Sequence, residues 1–190
     1  MFHNSKKSAM PGVTMLLLEL EIPPMTDFGV LPLFQRDWAR ERIHMEILLV
    51  DDNPADVRMV RDGLKEALPD ARLSVAADGV EAIRFLRREG HHSRAPRPDL
   101  IILDLRLPKK SGFDVLVEIK TDPMLANIPV VVQSSSEEPI DIQKAYSLHA
   151  NCYITKPAGF DEFGRTMRAL AEFWVTVAKL PSGANQWNTN

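Results

Sequence analysis

Five short apolar runs alternate with amphipathic segments along the middle of the chain. Each run is rich in Val, Ile and Leu, and each is followed by a segment whose apolar residues recur every three or four positions. Such runs are typical of strands buried on both faces, and the three-four spacing is typical of helices. The pattern therefore predicts a doubly wound α/β fold with a parallel sheet between layers of helices. The predicted strands are 47–50, 73–76, 100–103, 130–132 and 152–154, and the predicted helices are 54–68, 80–88, 112–121, 137–148 and 160–179.

The two ends of the chain lack this regular pattern. Residues 1–44 contain four prolines and no sustained hydrophobic period, and residues 180–190 are mostly small and polar around a single tryptophan. We therefore predict a poorly structured extension at 1–44, one domain at 45–179 and a flexible tail at 180–190. Because Met45 stands directly before the first predicted strand, translation from an upstream start codon is one hypothesis for the extension.

Composition narrows the classes of function. The chain has 26 acidic and 23 basic residues, so it lacks the positive excess typical of proteins that cover nucleic acid. A single cysteine, Cys152, excludes an internal disulfide and a zinc cluster built on thiolates. No apolar run approaches the roughly 20 residues of a membrane-spanning helix, and the N-terminal segment lacks the features of a signal peptide. A cytoplasmic protein is expected, with neither nucleic acid nor a membrane as its partner.

Polar side chains stand where four of the predicted strands end. Asp51 and Asp52 follow the first strand, Asp104 the third, Ser134 the fourth and Lys156 the fifth. In a doubly wound sheet the carboxyl ends of the strands form the ligand-binding edge, so these groups are expected to converge. Clustered carboxylates repel one another unless a hard cation binds, and Mg²⁺ prefers a few carboxylates together with water and phosphate. The cluster predicts a magnesium site in which an aspartate attacks phosphorus, while the lysine balances phosphoryl charge.

Four segments at these strand ends together resemble the response-regulator receiver domain. They are LVDDNP at 49–54, DLIILDLRLP at 99–108, the strand that runs from Pro129 to Ser134, and YITKP at 153–157. The resemblance covers residues 45–179 and implies a flavodoxin-like (βα)5 fold. It also implies a signal-relay protein of a two-component phosphorelay, not an enzyme with a separate substrate, that accepts a phosphoryl group from a histidine kinase.

The resemblance implies the acceptor and its metal ligands. Asp104 corresponds to the phosphoacceptor, and Asp51, Asp52, Asp104 and the backbone carbonyl of Arg106 correspond to the Mg²⁺ ligands. This chain departs from the family pattern at two positions. Arg106 stands where related receivers often have Asn, and Gln133 replaces an aliphatic residue, so the lifetime of the phosphate is left open.

The resemblance also implies a lysine partner and two switch residues. Lys156 corresponds to the lysine that pairs with the phosphorylated site, and its bond to Pro157 is expected to be cis. Ser134 corresponds to the switch hydroxyl that moves to the phosphate on activation. Tyr153 corresponds to the aromatic switch residue that turns inward as the hydroxyl moves.

Several segments resemble a narrower group, the small stand-alone receivers that partner phytochrome-type histidine kinases. This resemblance implies a kinase of that type as the partner and output through protein contacts. Receivers of this kind often pair through the fourth helix, fifth strand and fifth helix, which makes that face a candidate homodimer interface. The shared segments are NPAD at 53–56, LPKK at 107–110, LHANCYITKP at 148–157 and FW at 173–174.

Three other functions share part of the pattern. A flavodoxin needs a phosphate loop rich in Ser, Thr and Gly after the first strand, where this chain has Asp51 and Asp52. A phosphatase with an aspartate nucleophile needs a second Asp two residues later, where this chain has Arg106. A phosphorylation-independent pseudo-receiver, acting as a protein-binding module, shares the fold and stays an alternative, although the complete set of acceptor, acidic pair and lysine argues against it.

Some candidate residues also have a structural interpretation. Asp51 and Asp52 would suit an N-cap pair before the first helix, and Tyr153 would suit core packing. The adjacent His91 and His92 have no carboxylate or cysteine beside them in the sequence, which is typical of solvated side chains. Ser135 and Ser136 are predicted to cap the fourth helix, and His149 is predicted to lie at its end. Cys152 is predicted to be a small buried residue.

Overall fold

Five parallel strands and five helices alternate in the part of the chain that the computed structural model describes, residues 45–181. The extension at 1–44 and residues 182–190 of the predicted tail lie outside the described residues. The strands are β1 (Glu46–Val50), β2 (Arg72–Ala76), β3 (Leu100–Leu103), β4 (Val130–Ser134) and β5 (Cys152–Thr155). The helices are α1 (Pro54–Ala67), α2 (Gly79–Leu86), α3 (Gly112–Thr121), α4 (Pro139–Ser147) and α5 (Phe160–Glu172).

The strands form one sheet in the order β2-β1-β3-β4-β5, and every neighbouring pair is parallel. From β1 the chain first adds a strand on one side and then, with β3, on the other. In doubly wound sheets, ligands bind outside the carboxyl ends of the strands at this change of direction. The predicted fold is confirmed, and the ends of β1 and β3 are where the site should lie.

Alternate residues of the central strands enter two separate cores. Leu48 and Ile101 pack against α2, α3 and α4, whereas Leu49 and Ile102 pack against α1 and α5. All four side chains are at most 1% exposed. Because both faces of the central strands are buried, the positions of the residues that follow them are set by the sheet.

Side chains cap the helices that begin at the carboxyl edge of the sheet. The side chain of Asn53 accepts the N–H of Ala55 at the start of α1, and that of Asp78 accepts the N–H of Glu81 at the start of α2. These bonds satisfy donors that the first helical turn leaves unpaired. The caps therefore fix where the chain turns from strand into helix.

Most elements differ from the sequence prediction by a residue or more at one end, and three of these differences have a physical reason in the structure. Helix α4 begins at Pro139 instead of residue 137, because a residue before proline disfavours the helical region and Glu138 is extended. Strand β4 continues through Gln133 and Ser134 because both pair with β5. Helix α5 ends at Glu172, and the chain continues as a π-helical turn at Phe173–Val177. No helix between residues 45 and 181 is long and apolar enough to cross a membrane.

Candidate functional site

Backbone hydrogen bonds continue the sheet one residue beyond β1 and β3 and place two carboxylates there. The N–H of Asp51 donates to the carbonyl of Ala76 at 3.1 Å, and the N–H of Asp104 donates to the carbonyl of Val50 at 2.9 Å. Asp51 is 2% exposed and Asp104 is 8% exposed. The structure thus brings together, at a buried strand edge, the two aspartates that the sequence predicted to converge.

The acidic pair does not cap α1. The N-cap is Asn53, and Asp51 instead accepts the backbone N–H of Asn53 through Oδ1 at 2.9 Å. Asp52 is exposed. The alternative interpretation of Asp51 and Asp52 as an N-cap pair is therefore wrong, because Asn53 already performs that role.

Lys156 joins the loops after β1, β3 and β5. Its backbone N–H donates to the carbonyl of Ser134 at 2.8 Å, which holds the residue at the end of β5 beside β4. Its Nζ lies 2.7 Å from Oδ2 of Asp51 and 2.8 Å from Oδ2 of Asp104. The side chain is only 9% exposed, so the ammonium lies within the cluster and not at its edge.

A third carboxylate, that of Asp56, also binds this ammonium. Oδ2 of Asp56 lies 2.8 Å from Nζ of Lys156, and the Asp56 side chain is 16% exposed. The sequence contains Asp56 in the shared segment NPAD but indicates no role for it. The available signal was its position in the first turn of α1, which begins at the same edge as the acidic pair.

The cluster carries more negative charge than one ammonium balances. Burial alone would lower the pKa of Lys156, but its hydrogen bonds to Asp104, Asp51 and Asp56 raise that pKa well above the usual value. Burial raises the pKa of Asp51, and the hydrogen bonds from Lys156 and Asn53 oppose this only partly. A group of buried carboxylates with one cation is electrostatically suited to binding another cation.

Three carboxylates of the cluster offer ligand atoms for that cation. Oxygens of Asp51, Asp52 and Asp104 all lie within 4.8 Å of one another. Oxygen-only donors with several carboxylates fit a hard divalent ion. Arg106 is exposed, and its N–H donates to Oδ1 of Asp104 at 3.2 Å. The role of the Arg106 carbonyl as a fourth ligand stays a prediction.

The two predicted switch residues are linked through the loop after β4. Ser134 is fully buried, and its Oγ accepts the N–H of Ser136 at 3.2 Å. The hydroxyl of Tyr153 donates to the carbonyl of Ser136 at 2.9 Å, while its half-buried ring packs against the core beside α4. Oγ of Ser136 donates to Oδ2 of Asp141 in the first turn of α4 at 2.6 Å. A movement of Ser134 would therefore disturb the loop that holds both Tyr153 and α4.

The expected cis bond between Lys156 and Pro157 is wrong. No peptide bond within residues 45–181 is cis. The trans form is the more stable one for a bond to proline, by about 0.5–1 kcal/mol. Lys156 reaches its three carboxylates with the bond in the trans form.

Known proteins resemble this chain over the range that forms the site. The profile of the response regulator receiver domain matches residues 47–168. Response regulator Rcp1 from Synechocystis sp. is 43% identical over 136 residues, which cover 72% of this chain and 92% of Rcp1. The probable methanogenesis regulatory protein FilR2 from Methanothrix harundinacea is 37% identical over 139 residues, or 73% of this chain and 88% of that protein.

Two solved structures share both the fold and much of the sequence. The phosphorylated cyanobacterial phytochrome response regulator RcpA is 47% identical, with a TM-score of 0.71, over 73% of this chain and 99% of its own. The Mn²⁺-bound form of Rcp1 is 42% identical, with a TM-score of 0.70, over the same two shares. One of these relatives is thus seen phosphorylated and the other with a divalent metal.

Proposed function

The chain belongs to the family of response regulator receiver domains, and we propose that Asp104 is its phosphoacceptor and receives the phosphoryl group from a histidine kinase. The observation that carries this proposal is the contact of the buried Asp104 carboxylate with Lys156 at 2.8 Å, beside Asp51 and Asp52. Its similarity to response regulator Rcp1 and to the phytochrome response regulator RcpA supports a role in phytochrome-linked two-component signalling.

In the proposed transfer, a carboxylate oxygen of Asp104 attacks phosphorus. The P–N bond of the kinase phosphohistidine breaks, an O–P bond forms on Asp104, and the imidazole leaves and takes up a proton. Lys156 supplies positive charge beside the phosphoryl oxygens, and the N–H of Arg106 holds the other carboxylate oxygen of Asp104 at 3.2 Å. In hydrolysis a water oxygen attacks the same phosphorus, the O–P bond to Asp104 breaks, and inorganic phosphate leaves while the Asp104 carboxylate is restored.

Mg²⁺ is the proposed cation. Asp51, Asp52 and Asp104 would hold it, together with the backbone carbonyl of Arg106. When bound, the ion supplies charge that stabilises the phosphoryl oxygens during transfer. The Mn²⁺-bound form of Rcp1 supports a divalent ion in this family, and the all-oxygen donor set favours Mg²⁺ over softer metals.

The proposed switch starts from the new charge on Asp104. A phosphoryl oxygen attracts the hydroxyl of Ser134, whose Oγ now accepts the N–H of Ser136. Loss of that bond frees the loop whose carbonyl holds Tyr153. The face formed by α4, β5 and α5 then changes its shape, and protein partners read the change.

Acetyl phosphate tests the acceptor without a kinase. Intact mass after incubation with the full chain and Mg²⁺ should show one added phosphoryl group, and omission of Mg²⁺ should suppress it. Asp104→Asn should not be labelled, whereas the matched control Asp70→Asn, at an exposed turn residue, should be labelled like the wild type. Labelling of Asp104→Asn would move the acceptor elsewhere. A folded wild type that gains no mass would instead support the phosphorylation-independent pseudo-receiver.

The kinase partner is proposed to be of the phytochrome type because RcpA is a phytochrome response regulator. Phosphotransfer from a panel of autophosphorylated kinase cores should be fastest with phytochrome-linked members. Equal rates with unrelated kinases would contradict this partner, while leaving Asp104 as the acceptor.

Homodimer formation is proposed through α4, β5 and α5. Large apolar side chains are exposed in α4 and after α5: Ile140 is 72% exposed, Tyr146 49%, Phe173 49% and Val177 59%. Light scattering coupled to gel filtration should detect a dimer that Ile140→Asp weakens. A wild type that stays monomeric both with and without acetyl phosphate would contradict the dimer.

A further inference from the structure

A second group of ligand-type side chains lies on α2 and on the turn that follows it, outside the acidic cluster. Glu81 belongs to the first turn of α2, and His91 and His92 belong to a short 3₁₀ turn at Gly90–His92 that follows this helix. The turn folds back onto α2, because the ring of His92 packs edge-on against Phe85 with centroids 5.3 Å apart. A carboxylate and two imidazoles that are distant in sequence therefore meet.

Donor atoms of the three side chains lie close to one another. One ligand atom from each residue lies within 4.8 Å of the other two, and Nε2 of His92 lies 3.9 Å from Oε1 of Glu81. The two imidazole rings are 3.9 Å apart between centroids. Oε2 of Glu81 accepts the N–H of Ala77 at 2.9 Å, which holds the carboxylate in place and leaves Oε1 beside His92.

One of these donor atoms is buried without a hydrogen bond. Nε2 of His92 is inaccessible to solvent and has no hydrogen-bond partner within residues 45–181, and the side chain is 14% exposed. Buried ring nitrogens are normally satisfied by a polar partner or by a metal. Burial, and secondarily the neighbouring His91, lower the pKa of His92.

We propose that Glu81, His91 and His92 form a second metal site, which binds a transition-metal ion of the Zn²⁺ type. Two imidazoles and one carboxylate form a donor set typical of Zn²⁺, with a fourth position left for water. Ligands at 2.0–2.1 Å from a tetrahedral ion lie about 3.4 Å apart, so the group must contract slightly. His91 is exposed and is therefore free to make that movement.

Binding at this site would tie the turn to α2. Glu81 lies in the first turn of the helix and the histidines lie beyond its end. An ion held by both would cross-link the two ends of this segment and would stabilise the folded state, because the unfolded chain does not bring these residues together. The sequence indicates solvated histidines, and the fold brings the carboxylate of Glu81 to them.

Zinc titration of the full chain tests the site. Calorimetry with excess Mg²⁺, which occupies the oxygen-only acidic cluster, should show one Zn²⁺ bound per chain. Glu81→Gln and His91→Asn should each weaken binding at least tenfold. Glu81→Gln keeps an oxygen that can accept the N–H of Ala77, and His91 is exposed, so both variants should fold.

His149→Asn is the matched control. His149 is exposed and has a positive φ of 65°, a conformation that Asn tolerates, so this change removes a surface histidine without affecting the group. It should bind Zn²⁺ like the wild type. Zn²⁺ should also raise the melting temperature of the wild type and of His149→Asn, but not that of Glu81→Gln or His91→Asn. A wild type that binds no Zn²⁺, or variants that all bind it equally, would overturn the proposal.

Discussion

Three carboxylates share a single ammonium in the site, and this residue-scale arrangement has a consequence for phosphorylation. Asp51, Asp56 and Asp104 each lie within 2.8 Å of Nζ of Lys156. When a phosphoryl group arrives on Asp104, its oxygens compete for the same cation. The carboxylates that stay bound to Lys156 therefore oppose the phosphorylated state, both by holding the ammonium and by repelling the incoming anion.

Asp56 is the member of this group that can be changed without removing a metal ligand, because it is not one of the proposed ligands. Asp56→Asn removes one negative charge and releases Lys156 toward the phosphoryl oxygens. We expect the rate of labelling by acetyl phosphate to rise roughly three- to tenfold, equivalent to about 0.7–1.4 kcal/mol of barrier. Time-resolved intact mass at fixed Mg²⁺ measures this rate.

The control for Asp56→Asn lies on the same helix. Asp62 is in α1 and its only ion pair in the described part of the chain is an exposed one with Arg58, so Asp62→Asn should label at the wild-type rate. A slower rate for Asp56→Asn alone would show that Asp56 positions Lys156 for transfer. That result would contradict a competition between the Asp56 carboxylate and the phosphoryl oxygens for Lys156.

Two residue-scale features could not be obtained from the sequence for the same physical reason. Asp56 contacts Lys156 across 100 positions, and Glu81 approaches His92 only because a turn folds back. The contact of Glu81 with His92 leaves no local signal, and that of Asp56 leaves only its position in the first turn of α1. By contrast, Asp51, Asp104 and Lys156 were predictable because each directly follows a recognisable apolar strand, and strand ends of a parallel sheet share an edge.

At the scale of elements, α3 packs closely on the loop that carries Asp104. A Cβ built on Gly112 would lie 2.1 Å from the carbonyl oxygen of Asp104 and 2.6 Å from Cα of Leu105. The N–H of Gly112 also donates to the carbonyl of Leu105 at 3.0 Å. Because the obstructing atoms are backbone, no side-chain rotation can relieve the overlap.

Gly112→Ala should therefore destabilise the fold by about 1–3 kcal/mol and slow the labelling of Asp104. Urea unfolding measures the first effect and intact mass the second. The matched control is Gly164→Ala in α5, where the nearest atom to an added Cβ is Nη1 of Arg168 at 3.9 Å. That change should stabilise by up to about 1 kcal/mol. Equal stabilities for the two variants would contradict the close packing of α3.

Strand β4 contains a polar side chain in an apolar core. Gln133 is 1% exposed, its Nε2 makes one weak contact with Sδ of Met167 at 3.9 Å, and its Oε1 has no partner within residues 45–181. An unsatisfied buried acceptor costs about 1–3 kcal/mol. Gln133, at a position where related receivers have an aliphatic residue, therefore destabilises the packing between β4 and α5.

Gln133→Leu should raise the free energy of unfolding by about 1–2 kcal/mol, because it removes the unsatisfied amide at similar volume. Urea denaturation compares the variant with the wild type, and Ser135→Ala, at an exposed residue just after β4, serves as control. A destabilised Gln133→Leu variant would contradict the cost assigned to the unsatisfied amide.

The boundaries of the elements were predictable to the extent that local chemistry sets them. Helix α3 has the predicted bounds. Ser111 caps its start, and its regularly spaced apolar residues stop near its end. The sequence pattern starts α4 two residues too early, because the run of serines and acidic residues suits a cap whereas Pro139 begins the observed first turn. The pattern ends α5 too late, because the apolar spacing continues through the π-helical turn.

At the scale of the whole molecule, an ion pair connects the start of α2 with the loop between β3 and α3. Asp78 caps α2 and also binds Lys109, which lies in the loop between β3 and α3 and has a positive φ of 64°. The hydrogen bond from Lys109 lowers the pKa of Asp78 and outweighs the opposing effect of burial. The folded state therefore binds a proton at Asp78 less readily than the unfolded state does.

This linkage predicts how the stability of the whole molecule depends on pH. With its pKa lowered on folding, Asp78 contributes stability at pH values above its unfolded pKa of about 3.9, and the contribution is lost as the pH falls through the folded pKa. Asp78→Asn keeps a good N-cap but cannot ionise, so cap loss does not confound the comparison. Because Lys109 is 66% exposed, solvent screens the pair and the difference at pH 7 should be only about 0.5–1 kcal/mol. Urea unfolding of both proteins from pH 7 to pH 3 should show the wild type more stable at pH 7, with the two curves converging as the pH falls below 4. A difference that stays constant down to pH 3 would show that the ionised Asp78 is not stabilised by Lys109.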